Sequence, residues 1–189
     1  MHEKIAFSTL LWYNKKKLKL QQGENEMGIY LNPENVDFQE VLNSKIYVDK
    51  SELIQYTNSV LRTTQKYICV SRPRRFGKSM AANMLTAYYS RGCDSRGLFQ
   101  GLKIATHPDF EKYLNQYNVI HLNMRDYLTE SENMKQLIQF VEDDLLDELQ
   151  QEFSDLRMPR RKTLVKVLEQ AFAQYKIPFV FIIDEWDCI

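Results

Sequence analysis

The chain carries no excess charge: 25 Lys and Arg stand against 25 Asp and Glu among 189 residues. The total therefore makes no electrostatic case for a nucleic-acid surface, and any DNA contact would need a local patch. Cysteine is scarce. The three, at 69, 93 and 188, are odd in number and far apart. They match neither a disulfide framework nor the paired spacing of a zinc site, and they suit a reducing cytoplasm. No apolar run is long enough to cross a bilayer. The longest early one, residues 5–13, is followed by Lys15-Lys-Lys17 and not by the small residues of a cleavage site, so a signal peptide is not expected. Internal repeats and low-complexity segments are missing too. What remains is the composition of a soluble globular protein, 44% apolar and 26% charged, of a length that suits one domain or slightly less.

One stretch stands out. Tyr67-Ile-Cys-Val-Ser71 reads as a buried β-strand, and Arg72-Pro-Arg-Arg-Phe-Gly-Lys-Ser79 follows as a tight basic loop that opens a helix. Strand, loop and helix form the context that a phosphate-binding loop requires. Backbone N–H groups of such a loop converge on phosphate oxygens, and the helix N-terminus adds partial positive charge. Gly77 has no Cβ to hold a phosphate away. Lys78 would reach the β- and γ-phosphates, and the Ser79 hydroxyl would ligate Mg²⁺. The consensus is G-x-x-x-x-G-K-[ST]. Arg72 stands where its first glycine belongs, and Pro73 offers another way to fix the turn. Arg72, Arg74 and Arg75 add three planar guanidinium groups suited to phosphate. The candidate nucleotide contacts are Arg72, Pro73, Arg74, Arg75, Phe76, Gly77, Lys78, Ser79 and Met80. The plainer alternative is a basic loop ahead of a surface helix.

A second segment pairs with the first. Phe179-Val-Phe-Ile-Ile-Asp-Glu185 is an apolar run after Pro178 that ends in two carboxylates. Such a run suits a strand buried on both faces, and ligands of open α/β sheets sit at the carboxyl ends of strands. Asp184 would help hold Mg²⁺ through water. Glu185 would be the base that polarises attacking water. Alone, the segment is equally a strand closing in an exposed acidic turn. Together the two imply a nucleoside triphosphate with Mg²⁺.

With these residues in view, Ser71-Arg-Pro-Arg-Arg-Phe-Gly-Lys-Ser79 resembles the signature of the bacterial AAA-ATPase-like family. Ile46-Tyr-Val-Asp-Lys-Ser51 is similar to that family's Tyr-Val-Asp-Lys-Thr segment. Gly97-Leu-Phe-Gln-Gly-Leu102 is similar to its Leu-Phe-x-Gly-Leu segment, and Ile183-Asp-Glu-Trp-Asp187 to its Walker B segment. The resemblance spans 28–189. It implies an α/β fold with a three-layer P-loop NTPase-type parallel sheet and flanking helices. It implies ATP and Mg²⁺ as cofactors, Glu185 and Lys78 as catalytic residues, and Ser79 and Asp184 as metal ligands. An arginine at the first glycine is typical of the family, and members are often fused to a C-terminal PD-(D/E)xK-type nuclease domain. In this P-loop class another strand lies between the P-loop strand and the Walker B strand and comes later in the chain. The expectation is therefore an N-terminal fragment truncated after the Walker B strand, which exposes backbone and apolar side chains at the gap, binds nucleotide weakly and hydrolyses it slowly. Expected partners are the nucleotide, the remainder of its own chain and a second copy of itself. Nucleic acid enters only through the longer parent, and no membrane is expected. The competing class is a non-hydrolytic switch or interaction module. A kinase ranks lower, because no lid or acceptor site is recognisable.

Elsewhere the reading is structural. Residues 1–27 are expected to be a disordered leader or a mis-annotated start, with Met27 as the alternative first residue. Short helices are expected near Phe38–Leu42 and over 50–61, with Tyr47-Val48 extended between them. Asp49 and Lys50 are read as a solvated turn or ion pair ahead of any nucleotide contact. A helix over 78–90 buries a stripe of Met80, Met84, Leu85, Tyr88 and Tyr89 and stops at Gly92. Cys69 is a small core hydrophobe. Residues 118–124 form a second strand, with His121 structural and Arg125 left outside the site. A helix over 131–153, capped by Ser131, presents the acidic stretch 142–148 to solvent, and a last helix runs to Tyr175.

Overall fold

The computed structural model describes residues 28–71, 73 and 75–188. The expectations for the leader, for Met27 and for Arg72 and Arg74 lie outside the described residues. In chain order, the structure runs through helices α1 (Val36–Leu42), α2 (Glu52–Val60) and α3 (Lys78–Tyr89), then the one-turn helices Arg96–Phe99 and Phe110–Tyr113. Strand β1 (Asn118–Asn123) follows, then α4 (Met124–Glu130), α5 (Met134–Glu152), α6 (Leu164–Tyr175) and β2 (Phe179–Asp184). The result is an α/β arrangement: a small two-strand parallel sheet with flanking helices.

β1 and β2 pair in parallel from Asn118 opposite Phe179 to Asn123 opposite Asp184. Alternation along a strand sends neighbouring side chains to opposite faces. Ile120 and Leu122 therefore enter one core, with Leu137, Leu145 and Leu149 of α5 and Val167 and Ala171 of α6. Val119, with Val180 and Ile182, enters the other, against Met84, Ala87, Tyr88 and Tyr89 of α3. The stripe expected on α3 is thus core from Met84 onward. Its two tyrosines satisfy their hydroxyls inside. Tyr88 Oη donates to the Phe110 carbonyl at 2.7 Å, and Tyr89 Oη donates to Asn58 Oδ1 at 2.7 Å. Buried tyrosines need such partners, since an unpaired hydroxyl costs its full desolvation.

The other edge of β1 is covered by residues 30–32. Asn32 N donates to the Val119 carbonyl at 2.7 Å, and His121 N to the Tyr30 carbonyl at 2.9 Å. This segment is itself anchored by Glu148, whose carboxylate accepts the amides of Ile29 (2.8 Å), Tyr30 (3.0 Å) and Leu31 (2.7 Å). A Cβ at Gly28 would lie 2.1 Å from the Leu31 carbonyl oxygen, so only glycine allows this approach. The acidic face of α5 is therefore not wholly solvated as expected: Glu148 turns inward, and Asp144 accepts the Tyr127 hydroxyl at 3.0 Å.

Five further expectations change. Residues 67–71 form no strand, and Tyr67 is 86% exposed. Cys69 is exposed with them. Strand structure needs a hydrogen-bonding neighbour about 4.8 Å away, and a cleft separates this segment from β2. For the same reason β2 is not buried on both faces: Phe181 and Ile183 remain 49% and 48% exposed. The cap of α5 is Asn133, whose side chain accepts Gln136 N at 3.0 Å, whereas Ser131 ends α4. Lastly, α3 stops at Ser90, which turns extended and bridges to Tyr117. Gly92 is needed for another reason, because a Cβ there would meet the Asn32 carbonyl oxygen at 2.3 Å.

Candidate nucleotide site

The loop before α3 is held by local geometry. Phe76 N donates to the Pro73 carbonyl at 3.4 Å, Arg75 has φ 69°, and Gly77 has φ 74°. Gly77 occupies the N-cap of α3, and Ala81 N donates back to its carbonyl at 3.1 Å. The first amides of any helix lack intrahelical partners, and a glycine brings no side chain to cap them. Lys50 closes the loop from behind: its Nζ donates to the Phe76 carbonyl at 2.5 Å. A Cβ on Gly77 would lie 2.9 Å from that ammonium. Both the left-handed backbone and the crowding therefore call for glycine.

Across from the loop, β2 delivers its two carboxylates. Glu185 N donates to Asp184 Oδ1 at 2.9 Å. Glu185 itself has φ 54°, a left-handed conformation unusual for a residue with a Cβ. It turns the side chain toward Arg125, whose Nη2 lies 2.6 Å from Glu185 Oε2. Lys78 Nζ lies 3.8 Å from Asp187 Oδ2 in the short 3₁₀ turn that follows. Lys78, Asp184, Glu185 and Asp187 line one cleft of about 570 Å³, with Ser71, Val180 and Ile182 among its walls.

The candidate residues thus divide. Lys78, Asp184 and Glu185 come together. Arg75, Phe76, Gly77 and Met80 line a second, smaller pocket beside the loop. Ser79 is exposed on the first turn of α3, and Pro73 is exposed ahead of it. Arg72 and Arg74 lie outside the described residues.

Three contacts escaped the sequence reading. Arg125 follows β1 as Glu185 follows β2, so the two meet only because the strands are parallel neighbours in register; knowing the strand order would have exposed the pair. Asp187 faces Lys78. Asp49 is no solvated turn: it accepts Ser51 N and Lys103 N, both at 2.8 Å. Burial alone would raise its pKa, but the amide bonds from Lys103 and Ser51 more than offset this, and its carboxyl is held below the usual range. His121 is partly buried within β1. Burial pushes its imidazole down, against the pull of Asp184 and Asp37.

Among the described residues no three or more His, Cys, Asp or Glu side chains gather as a metal site, and no helix is long and apolar enough to cross a membrane. A family model described as "Predicted AAA-ATPase" matches residues 36–189. No curated protein and no solved structure matches the chain.

Proposed function

The chain belongs to the predicted AAA-ATPase family, and on that premise we propose that it is the nucleotide-binding part of a P-loop ATPase, taking Mg·ATP between the start of α3 and the end of β2. One observation carries the reading. Lys78, from a helix start, and Asp184 and Glu185, from a distant strand end, line the same cleft. The finer architecture we propose is a three-layer P-loop sheet that continues past β2, whose half-exposed Phe181 and Ile183 suit a further strand.

The residues fit the ligand. Gly77 brings no Cβ to the loop backbone, and the amides at the start of α3 present donors and partial positive charge to an anion. In this reading those amides and Lys78 hold the β- and γ-phosphates, with the basic loop around them. Ser79 and Asp184 would hold Mg²⁺, an ion that takes few protein ligands and so would need no dedicated protein cage. When bound, Mg²⁺ neutralises phosphate charge. Lys78 exchanges Asp187 for phosphate. Glu185 accepts the proton of an attacking water, and for this its pair with Arg125 must open. We place efficient hydrolysis in a state where the edge of β2 is covered. The Arg125–Glu185 pair also favours a second reading, a nucleotide switch without turnover, because it occupies the base.

Thermal unfolding of the full chain with and without Mg·ATP, beside Lys78→Ala, tests the binding. Ligand at a hundredfold excess over Kd stabilises by about 2.7 kcal/mol, and the variant should lose this. A cooperatively folded chain indifferent to Mg·ATP refutes the site. Turnover abolished by Glu185→Gln with binding intact supports the ATPase; binding without turnover supports the switch.

A further inference from the structure

The smaller pocket beside the loop is not used by the phosphates in this reading. It has a volume of about 280 Å³ and is walled by Ile46, Val48, Phe76 and Met80, with Lys50 and Arg75 as its cations. Three of its walls are large apolar side chains left in water: Ile46 is 83% exposed, Val48 64% and Phe76 60%. Single exposed apolar residues need no explanation, but a converging group marks a binding surface. Ile46 and Val48 come from the stretch before α2, and Phe76 comes from the loop. Lys50 joins the two segments by its bond to the Phe76 carbonyl.

We propose that this pocket takes the base of the nucleoside triphosphate, an inference that rests on 73–79 being the phosphate loop. Continuity with that loop identifies the occupant. Arg75, Phe76 and Gly77 line the pocket and belong to the loop as well, so a ligand anchored there by its phosphates has its other end within reach. The dimensions suit a flat heteroaromatic ring and are below those of most drug-sized sites. Its chemistry suits such a ring too. Phe76 offers a π-face for stacking, Ile46 and Val48 offer apolar edges, and Lys50 and Arg75 offer donors to the ring nitrogens and a cation for its face. Among the described residues no Asp or Glu lines the pocket. Lys50 sits at the junction, 2.9 Å from where a Gly77 Cβ would stand, and so lies between base and phosphates.

The test compares Mg·ATP with inorganic tripolyphosphate, which has the phosphates and no base. Both are titrated calorimetrically into the full chain, into Ile46→Ser/Val48→Ser, into Phe76→Ala and into Lys78→Ala. The wild type should bind Mg·ATP more tightly than tripolyphosphate, by about tenfold or more. Ile46→Ser/Val48→Ser should lose that advantage while keeping its tripolyphosphate affinity, Phe76→Ala should lose the advantage as well, and Lys78→Ala should weaken both ligands. Ile46, Val48 and Phe76 are exposed, so the variants should unfold at the wild-type temperature. Equal wild-type affinity for the two ligands overturns the inference and leaves the phosphate site standing. Equal loss of both ligands in Ile46→Ser/Val48→Ser also overturns it, since the substitutions would then act through the loop. Failure of both ligands to bind the wild type overturns the phosphate site, and the base pocket with it.

Discussion

Gly77→Ala tests the loop where its geometry is most exacting. The residue sits at φ 74°, ψ 39°, and a left-handed backbone costs a residue with a Cβ about 1–2 kcal/mol. The new methyl would also lie 2.9 Å from Lys50 Nζ and 3.3 Å from Met80 Sδ. Both atoms are far ends of flexible side chains, so they move aside and the backbone holds. The displaced ammonium gives up its bond to the Phe76 carbonyl, an exposed interaction worth about 1 kcal/mol at most. The total is about 2 kcal/mol, which for a domain of this size lowers Tm by about 4–8 °C. Thermal and urea unfolding measure it. Gly97→Ala is the internal control: nothing lies within 4 Å of its Cβ position and its φ is ordinary, so it should be neutral or stabilise by up to about 1 kcal/mol. Gly77→Ala should also blunt the Mg·ATP stabilisation, because the strained backbone and the displaced Lys50 disturb the loop. An alanine variant as stable as wild type, with its nucleotide response intact, would refute the account of the loop.

The remaining predictions concern the framework around the site. The folded-state pKa of His121 lies below its ordinary value of 6.5, chiefly through burial. The unfolded chain therefore takes up the proton first, and stability contributed above pH 6.5 should fall as pH drops toward the folded value; His121→Asn should flatten the slope of Tm between pH 7.5 and 5.5. Glu148→Leu removes the acceptor for three backbone amides and should cost about 2–3 kcal/mol, read as a lower urea midpoint; an unchanged midpoint would show that the amides find water instead. Arg125→Ala should free Glu185. If the proposed ATP turnover holds, kcat should rise or the pH profile shift, and a pair without functional weight would leave both unchanged. The half-exposed Phe181 and Ile183 on the open edge of β2 should make that edge adhesive. Phe181→Thr/Ile183→Thr should reduce concentration-dependent association in light scattering.

Much of the architecture was written locally. The apolar runs before Asp184 and around His121 do form β2 and β1, and Leu164–Tyr175 is helical as its periodicity suggests. Gly77-Lys78 does open α3, since a glycine at the N-cap followed by good helix formers needs no distant help. Residues 67–71 went the other way. Their composition is that of a strand, but strand structure belongs to a pair, and no partner comes beside them. Cys69 is exposed for the same reason. Ser131 lost the cap of α5 to Asn133 because two adjacent segments each offered a capping residue and the chain could turn at only one.

The sequence by itself determined the chemistry on offer: a lysine at a helix start, an Asp-Glu pair at a strand end, and a family signature between them. Those are short-range patterns, legible because spacing along the chain sets them. The tertiary structure decided which groups meet. Parallel register brings Arg125 onto Glu185. The return of the 3₁₀ turn after β2 sets Asp187 near Lys78, and the stretch before α2 folds back so that Lys50 clasps the loop. Each contact joins residues far apart in the chain, and its partner is chosen by how strands pair and how two cores close around them.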